Sequence, residues 1–234
     1  KGLGKQGINR TITCLKSIMH QAEKWELTRP KVWKNVHKLK VPKGRVDYHT
    51  PEEIAEILSI CSPAWKTVVL LGSRAGLRRG EIAVLQWKDI DFDKNYIYVT
   101  KSVAHDGDKP VIKTPKTEAG NRIVPLLLPL RNELIKHIGK PDEYIISDDG
   151  KTPLTNRRFI TLYDKYRKAT GITATAHQLR HAYATMLEEN NISEKDAQYL
   201  LGHAQISTTK DIYTHIRQSR KQETADRLND YLNR

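Results

Sequence analysis

Hydrophobic residues recur at helical spacing near the start of the chain. The apolar side chains of Ile8, Ile12 and Leu15 are three or four residues apart, and the pattern continues to predict one amphipathic helix over residues 8–25. A basic stretch with interspersed apolar residues follows, and then a segment containing Pro and Gly that is typical of a linker. This pattern predicts a domain boundary close to residue 45.

A helix-start signal follows the predicted boundary. Thr50 can cap a helix that has Pro51 at its first position, and Glu53, three residues after the cap, completes a capping box. Two further helices are predicted over residues 64–75 and 78–87, separated by a glycine.

The periodicity changes between residues 90 and 125. Three runs rich in β-branched or aromatic residues, YIYVT, PVIKT and NRIVPL, are separated by turn-forming segments. They predict one small antiparallel sheet of about three strands, with Lys116 at the tip of a hairpin. Helical periodicity then resumes and continues to the end of the chain.

These elements predict a mainly α-helical fold with a small antiparallel β-sheet (α+β). At 234 residues the chain is long enough for one full domain and a smaller unit. We expect residues 1–44 to form the smaller helical unit with its linker. Residues 45–234 are expected to form the main domain, which ends in a helix over 220–234. Because the chain starts abruptly and without an initiator Met, we expect it to be a fragment of a longer protein.

The sequence contains no signal for secretion or membrane insertion. No apolar run approaches the roughly 18 residues of a membrane-spanning helix, and no signal peptide precedes the first helical segment. The cysteines, Cys14 and Cys61, have neither the spacing of a metal site nor the number needed for a disulfide scaffold. We therefore expect a cytoplasmic protein with no membrane partner.

Positive charge is concentrated at the N-terminus. The chain has 40 Lys and Arg residues against 27 Asp and Glu residues, a net charge of +13. Residues 1–50 carry 12 basic and 3 acidic residues, so +9 of this charge lies there and only +4 on the other 184 residues. Such a segment favours a polyanionic partner, most commonly nucleic acid, although a solvated basic face without a partner would have the same composition.

The stretch TAHQLRHAYAT places His177, Arg180 and His181 within about one helical turn. The two histidines have the i, i+4 spacing of a helical zinc pair, but Gln178 stands where a metalloprotease has its catalytic glutamate. A hydrolase triad is also disfavoured, because no serine or cysteine has the context of a nucleophile elbow. We predict no metal and no other cofactor.

Phosphoryl transfer fits these residues better. The motif AGLRRGE puts Arg78 and Glu81 at the start of a helix, where an anion is favoured, although a surface Arg–Glu pair has the same spacing. Arg78 and Arg180 could bind the non-bridging oxygens of a phosphodiester, and His203 could donate a further hydrogen bond. Tyr213 could act as a nucleophile if cations stabilise its phenolate.

Five motifs occur in the order AGLRRGE, TPKTEAGNR, HQLRHAYAT, LLGHAQ and TTKDIYTH. In this order and spacing they resemble the motifs of the tyrosine recombinase family, also called the phage integrase family. The resemblance covers about residues 48–217. The segment 8–44 also resembles the last helices of the core-binding domain that precedes the catalytic domain in that family. The resemblance implies a bacterial or phage-encoded site-specific recombinase or integrase, which cleaves and rejoins DNA through a 3′-phosphotyrosyl intermediate to integrate or excise a mobile element.

The resemblance also implies roles for the residues that would hold the DNA. Arg78 and Arg180 would clamp the scissile phosphate, and His203 would form a hydrogen bond with the same group. Lys116 would protonate the leaving 5′ oxygen, and Glu81 would orient the neighbouring groups.

For the attacking side of the reaction, the resemblance assigns Tyr213 as the nucleophile and His177 as its acid-base partner. His181 is expected to be a packed or hydrogen-bonded helix residue without a catalytic role. Since the transesterification keeps the energy of the phosphodiester bond, neither ATP nor a metal is required.

The expected partner is double-stranded DNA at specific recombination sites. The resemblance implies a homo-tetramer on DNA, in which the helix over 220–234 docks onto a neighbouring protomer, and DNA-bending accessory or directionality factors. The basic side chains expected to contact DNA are Lys5, Arg10, Lys16, Lys43, Arg45 and Arg79.

Two alternatives remain at the level of sequence. A type IB topoisomerase-like enzyme would use the same chemistry on a single duplex, but the wording of the motifs and the basic N-terminal helices favour a recombinase. A DNA-binding regulator would keep the fold without the chemistry, but every position of the family's usual catalytic set is filled in this chain.

Overall fold

The computed structural model describes residues 4–29, 33–41, 49–106, 109–113 and 121–202. The chain divides into two compact units, residues 1–46 and 47–234. In the first unit, helix α1 (Lys5–Lys24) begins three residues earlier than its apolar pattern predicts. The side chain of Asn9 on this helix donates to the carbonyl of Leu39 at 2.9 Å and accepts from the N–H of the same residue at 2.7 Å. These two hydrogen bonds join α1 to the segment that follows it.

The second unit begins with the predicted capping box, which the structure confirms. Helix α2 (Pro51–Ile60) starts where the Thr50 hydroxyl accepts from the N–H of Glu53 at 3.3 Å, and the Glu53 carboxylate accepts from the N–H of Thr50 at 2.9 Å. Ile54 and Ile57 bury the inner face of this helix.

Helix α3 (Pro63–Ala75) is the centre of the core. It packs so closely against α7 (Ala176–Glu189) that a Cβ added to Gly72 would lie only 2.8 Å from the Cβ of Leu179. At its other end Trp65 is surrounded by three aromatic rings of α6 (Asn156–Thr170), with centroid distances of 5.4 to 5.8 Å. A glycine near one end of α3 and an aromatic cluster near the other hold the three helices together.

The helix predicted over residues 78–87 is much shorter in the structure. Helix α4 covers only Arg79–Ile82, and a separate 3₁₀ turn follows at Trp87–Asp89. Several backbone groups beyond α4 bond to the segment 141–154 instead of continuing the helix. The carbonyl of Leu85 accepts from Ile145 N–H at 2.9 Å, and Trp87 N–H donates to Glu143 at 3.1 Å. Tertiary pairing of the backbone therefore ends the helix.

In the part of the chain that the structure describes, two small sheets replace the single predicted one. The first is antiparallel, in the order β1-β2-β5, and contains β1 (Ile90–Asp91), β2 (Tyr96–Val99) and β5 (Arg122–Pro125). The second is a hairpin of β3 (Ser102–Asp106) and β4 (Lys109–Lys113). The prediction missed β3, whose sequence SVAHD has a weak strand pattern. The run PVIKT was therefore placed in one sheet with YIYVT and NRIVPL, whereas β4 pairs with β3.

The hairpin tip predicted for Lys116 lies outside the described residues. The described strands that come before and after it in sequence, β4 and β5, belong to different sheets.

The remaining α-helices in the described ranges are α5 (Leu128–Leu134) and α8 (Glu194–Leu201). Among the residues that the structure describes, no helix is both long and apolar enough to cross a membrane. The helices predicted beyond residue 202, including the one over 220–234, lie outside the described residues.

Candidate active site

Three arginine side chains meet at the C-terminal end of α8. Each donates to one of three consecutive backbone carbonyl oxygens, in the pairs Arg122–Leu200, Arg180–Leu201 and Arg78–Gly202. The first distance is 2.8 Å and the last is 2.5 Å. The last carbonyls of a helix receive no hydrogen bond from an N–H within the helix, and they lie at the negative end of the helix dipole. They therefore stabilise clustered cations.

Arg78 reaches this point because α3 ends at Gly76. This glycine has a φ of 64°, in the left-handed region, and a Cβ added there would overlap the ring of Tyr183, at 2.8 Å from Cε1 and closer still to Cδ1. The carbonyl of Gly76 accepts from Nη1 of Arg180 at 2.5 Å. One residue therefore turns the chain toward Arg78 and fixes Arg180 as well.

Glu81 lies between two of the arginines and accepts four hydrogen bonds. Two come from Arg78, through its backbone N–H and Nη1, both at 2.8 Å, and two come from Arg122 at 2.7 and 2.9 Å. A carboxylate has about four acceptor positions, so these bonds saturate Glu81. Burial opposes its ionisation, but the hydrogen bonds and charge of Arg122, together with Arg78, lower the pKa of Glu81 to about 2.

Sequence reasoning missed Arg122, which has the most enclosed charged side chain of this cluster. It begins β5, where exposed Ile123 separates the inward-facing Arg122 and Val124. Strand alternation in NRIVPL was the signal that could have found it, because a basic residue in phase with inward apolar residues must have a buried anion as partner.

Arg180 is almost completely buried, with 8% of the residue exposed. Burial, followed by repulsion from Arg78, lowers the pKa of Arg180 to about 9, and the side chain is still a cation at neutral pH. Arg78 is more open, with 40% of its side chain exposed. Within the described part of the cluster, the three arginines and Glu81 leave a net charge of +2, which favours a dianionic ligand.

The two histidines of HQLRH contact each other. Their Nε2 atoms are 2.8 Å apart and their rings meet edge to face, with His177 exposed and His181 half-buried. Burial, followed by the charges of His177 and Arg180, lowers the pKa of His181 to about 4. The structure thus confirms that His181 is a hydrogen-bonded helix residue. It brings Arg180 to Arg78 and Glu81, and pairs His177 with His181.

Three of the residues assigned to catalysis, Lys116, His203 and Tyr213, lie outside the described residues. His203 is covalently bonded to Gly202, whose carbonyl accepts from Arg78. Among the residues described, no group of three His, Cys, Asp or Glu side chains could hold a metal ion.

The basic residues expected to contact DNA are only partly described. Lys5 and Arg10 are exposed on α1, and Nζ of Lys16 lies 5.9 Å from the ring centroid of Trp33. Arg79 is exposed in the second unit, with its guanidinium 5.4 Å from the ring centroid of Phe159. Lys43 and Arg45 lie outside the described residues.

Comparison with known proteins places this site in context. The model of the phage integrase family matches residues 47–220. The ICEBs1 integrase of Bacillus subtilis is 29% identical, over 99% of this chain and 67% of that protein. The tyrosine recombinase XerA of Thermococcus onnurineus is 32% identical, over 92% of this chain and 73% of that protein.

Solved structures give the same grouping. The Tn1549 transposon integrase in complex with transposon right end DNA superposes with a TM-score of 0.75 and 25% identity, over 97% of this chain and 81% of that one. A lambda integrase dimer bound to a COC′ core site shares the fold, with a TM-score of 0.65 and 22% identity, over 89% of this chain and 73% of that one.

Proposed function

The chain belongs to the phage integrase family of tyrosine recombinases, which break and rejoin DNA strands at specific sites, and we propose that it does so through a covalent bond to Tyr213. Its relatives include integrases and a transposase of mobile elements, the latter from transposon Tn554 of Staphylococcus aureus. The proposed substrate is accordingly double-stranded DNA at the ends of an integrating element.

The arrangement of Arg78 and Arg180 carries this proposal. Their guanidinium groups are fixed on neighbouring carbonyls at the C-terminal end of α8, so no reorganisation is needed when a phosphate enters. A phosphodiester gains negative charge on its non-bridging oxygens as the nucleophile adds, and a preformed cluster of net charge +2 stabilises that state more than the ground state.

The proposed reaction is a transesterification. The phenolic oxygen of Tyr213 forms a bond to phosphorus while the bond from phosphorus to the 5′ oxygen breaks. His177 accepts the phenolic proton, and Lys116 gives a proton to the leaving 5′ oxygen. His203 donates a hydrogen bond to the phosphate. Attack by the 5′ hydroxyl of another strand reverses these steps and completes the exchange.

Strand exchange between two duplexes requires four strand cleavages, so we propose a homo-tetramer on DNA. The C-terminal segment 220–234 is the proposed contact between neighbouring protomers, and DNA-bending or directionality factors are proposed accessory partners. A DNA-acting enzyme of this kind works in the cytoplasm. The basic side chains of α1, together with Lys43, Arg45 and Arg79, are proposed to contact the DNA backbone.

Covalent trapping tests this function whatever the sequence of the DNA site. The full chain is incubated with sheared, randomly nicked genomic DNA of the source organism, and protein-linked fragments are precipitated with potassium and dodecyl sulfate. We expect the wild-type chain to enrich a single sequence and Tyr213→Phe to enrich none. Equal recovery with both proteins would refute the assignment, and wild-type recovery of all sequences alike would favour a topoisomerase.

A further inference from the structure

Arg122 differs from the other two arginines in having no route to a ligand. Its side chain is 0% exposed, and it is linked to Arg78 through Glu81, which accepts hydrogen bonds from both arginines. Its Nε also donates to the carbonyl of Leu200 at 2.8 Å. A guanidinium enclosed in this way cannot bind a DNA phosphate directly.

We propose that Arg122 is a positioning residue that fixes Arg78 through Glu81, a proposal that rests on the function given above. Each carboxylate oxygen of Glu81 is shared between the two arginines. Oε1 accepts from Nη1 of Arg78 and Nη1 of Arg122, and Oε2 accepts from the backbone N–H of Arg78 and Nη2 of Arg122. The planar fork of Arg122 thereby fixes the plane of the carboxylate.

Saturation of Glu81 keeps Arg78 available for phosphate. Arg78 gives one guanidinium nitrogen to Glu81 and the other to the carbonyl of Gly202. Without Arg122, two acceptor positions of Glu81 open, and the carboxylate can take both nitrogens of Arg78 in a bidentate pair. That rotation would remove Arg78 from Gly202 and neutralise it, so the phosphate would lose one of its two proposed clamps.

The position of Arg122 in the chain adds to this role. It is the first residue of β5, directly after the segment that contains Lys116, and its bond to Leu200 joins that strand to α8. The same side chain thus ties three parts of the proposed site together, namely β5, the start of α4 and the end of α8.

The test compares two substrates that differ only in charge. Both are nicked duplexes carrying the sequence recovered by trapping, one with a normal scissile phosphodiester and one with a neutral methylphosphonate. On the phosphodiester, we expect Arg122→Met to slow single-turnover cleavage by about 100-fold, the effect of a displaced phosphate clamp. On the methylphosphonate, which has less charge to neutralise, most of this defect should disappear, as it should for Arg78→Ala.

Val124→Ala is the matched control, because Val124 lies two residues away on the same strand, faces the same side and is fully buried. A cavity there weakens the fold without touching Glu81, so its effect on cleavage should be equal for both substrates. Arg122→Lys keeps the charge but loses the fork, and it provides the same comparison with a smaller defect if Arg122→Met does not fold.

Rescue of the Arg122 variants by the neutral substrate supports the proposal. An equal defect on both substrates, as expected for Val124→Ala, or no defect at all, overturns it and leaves Arg122 with a structural role only. A wild-type chain that cleaves neither substrate would instead refute the proposed function, and the two failures are therefore distinguishable.

Discussion

Replacing Gly76 by alanine should be much more damaging than the same change at Gly171, which also ends a helix with a positive φ. Its φ of 64° strains any residue with a Cβ by about 1 to 2 kcal/mol. The new methyl group would also overlap the ring of Tyr183, which is almost completely buried and must move, and overpacking of this kind costs about 1 to 3 kcal/mol. The reduced entropy of the unfolded chain offsets about 0.4 to 1 kcal/mol.

We therefore expect Gly76→Ala to lower the free energy of unfolding by about 1 to 5 kcal/mol, measured by urea denaturation. Gly171→Ala is the control for strain alone, since Gly171 ends α6 with a φ of 72° and an added Cβ meets nothing within 4 Å.

The variant should also lose DNA cleavage, because the Gly76 carbonyl holds Arg180 and the turn directs Arg78. If Gly76→Ala and Gly171→Ala destabilise the protein equally, the contact with Tyr183 contributes nothing, and this prediction is refuted.

Three further predictions concern single groups. The pKa of Glu81 is about 2 in the folded chain against 4.5 as a free group, so its ionised form stabilises the fold fully above about pH 4.5 and this stabilisation is lost as the pH falls toward 2. Glu81→Gln should remove this pH dependence from acid unfolding curves. His181 has a pKa of about 4 against 6.5 as a free group, so it should stay neutral at pH 6 in an NMR titration, and a midpoint near 6.5 would contradict its burial. Since the unfolded chain binds this proton more readily, the fold should lose stability as the pH falls from 6.5 to 4. Thr50→Ala should reduce stability by about 1 kcal/mol through loss of the cap, and no change in the urea midpoint would show that α2 does not need it.

The sequence was most informative where a local pattern and the tertiary structure agree. The capping box at Thr50 is specified by residues three apart and formed as predicted. The grouping of Arg78 with Glu81 is equally local, and their joining with Arg180 followed from the order of the family motifs. In these cases the partners are either neighbours in sequence or part of a distinctive motif.

The predictions failed where distant backbone or side-chain partners decide the structure. Helix α4 stops early because Leu85 and Trp87 pair with a segment about 60 residues away, which no local pattern reveals. The weak strand β3 takes β4 as its partner and leaves β5 to β2. Arg122 was overlooked because its buried position depends on an ion pair with Glu81, 41 residues earlier in the chain.

The proposed reaction is tested most directly by identifying the residue that becomes linked to DNA. Trapped covalent complexes are digested with nuclease and trypsin, and the peptides are analysed by mass spectrometry. We expect a nucleotide on the peptide 211–217, DIYTHIR, attached to Tyr213 through a 3′ phosphate. A nucleotide on any other peptide, or attached through a 5′ phosphate, would contradict it.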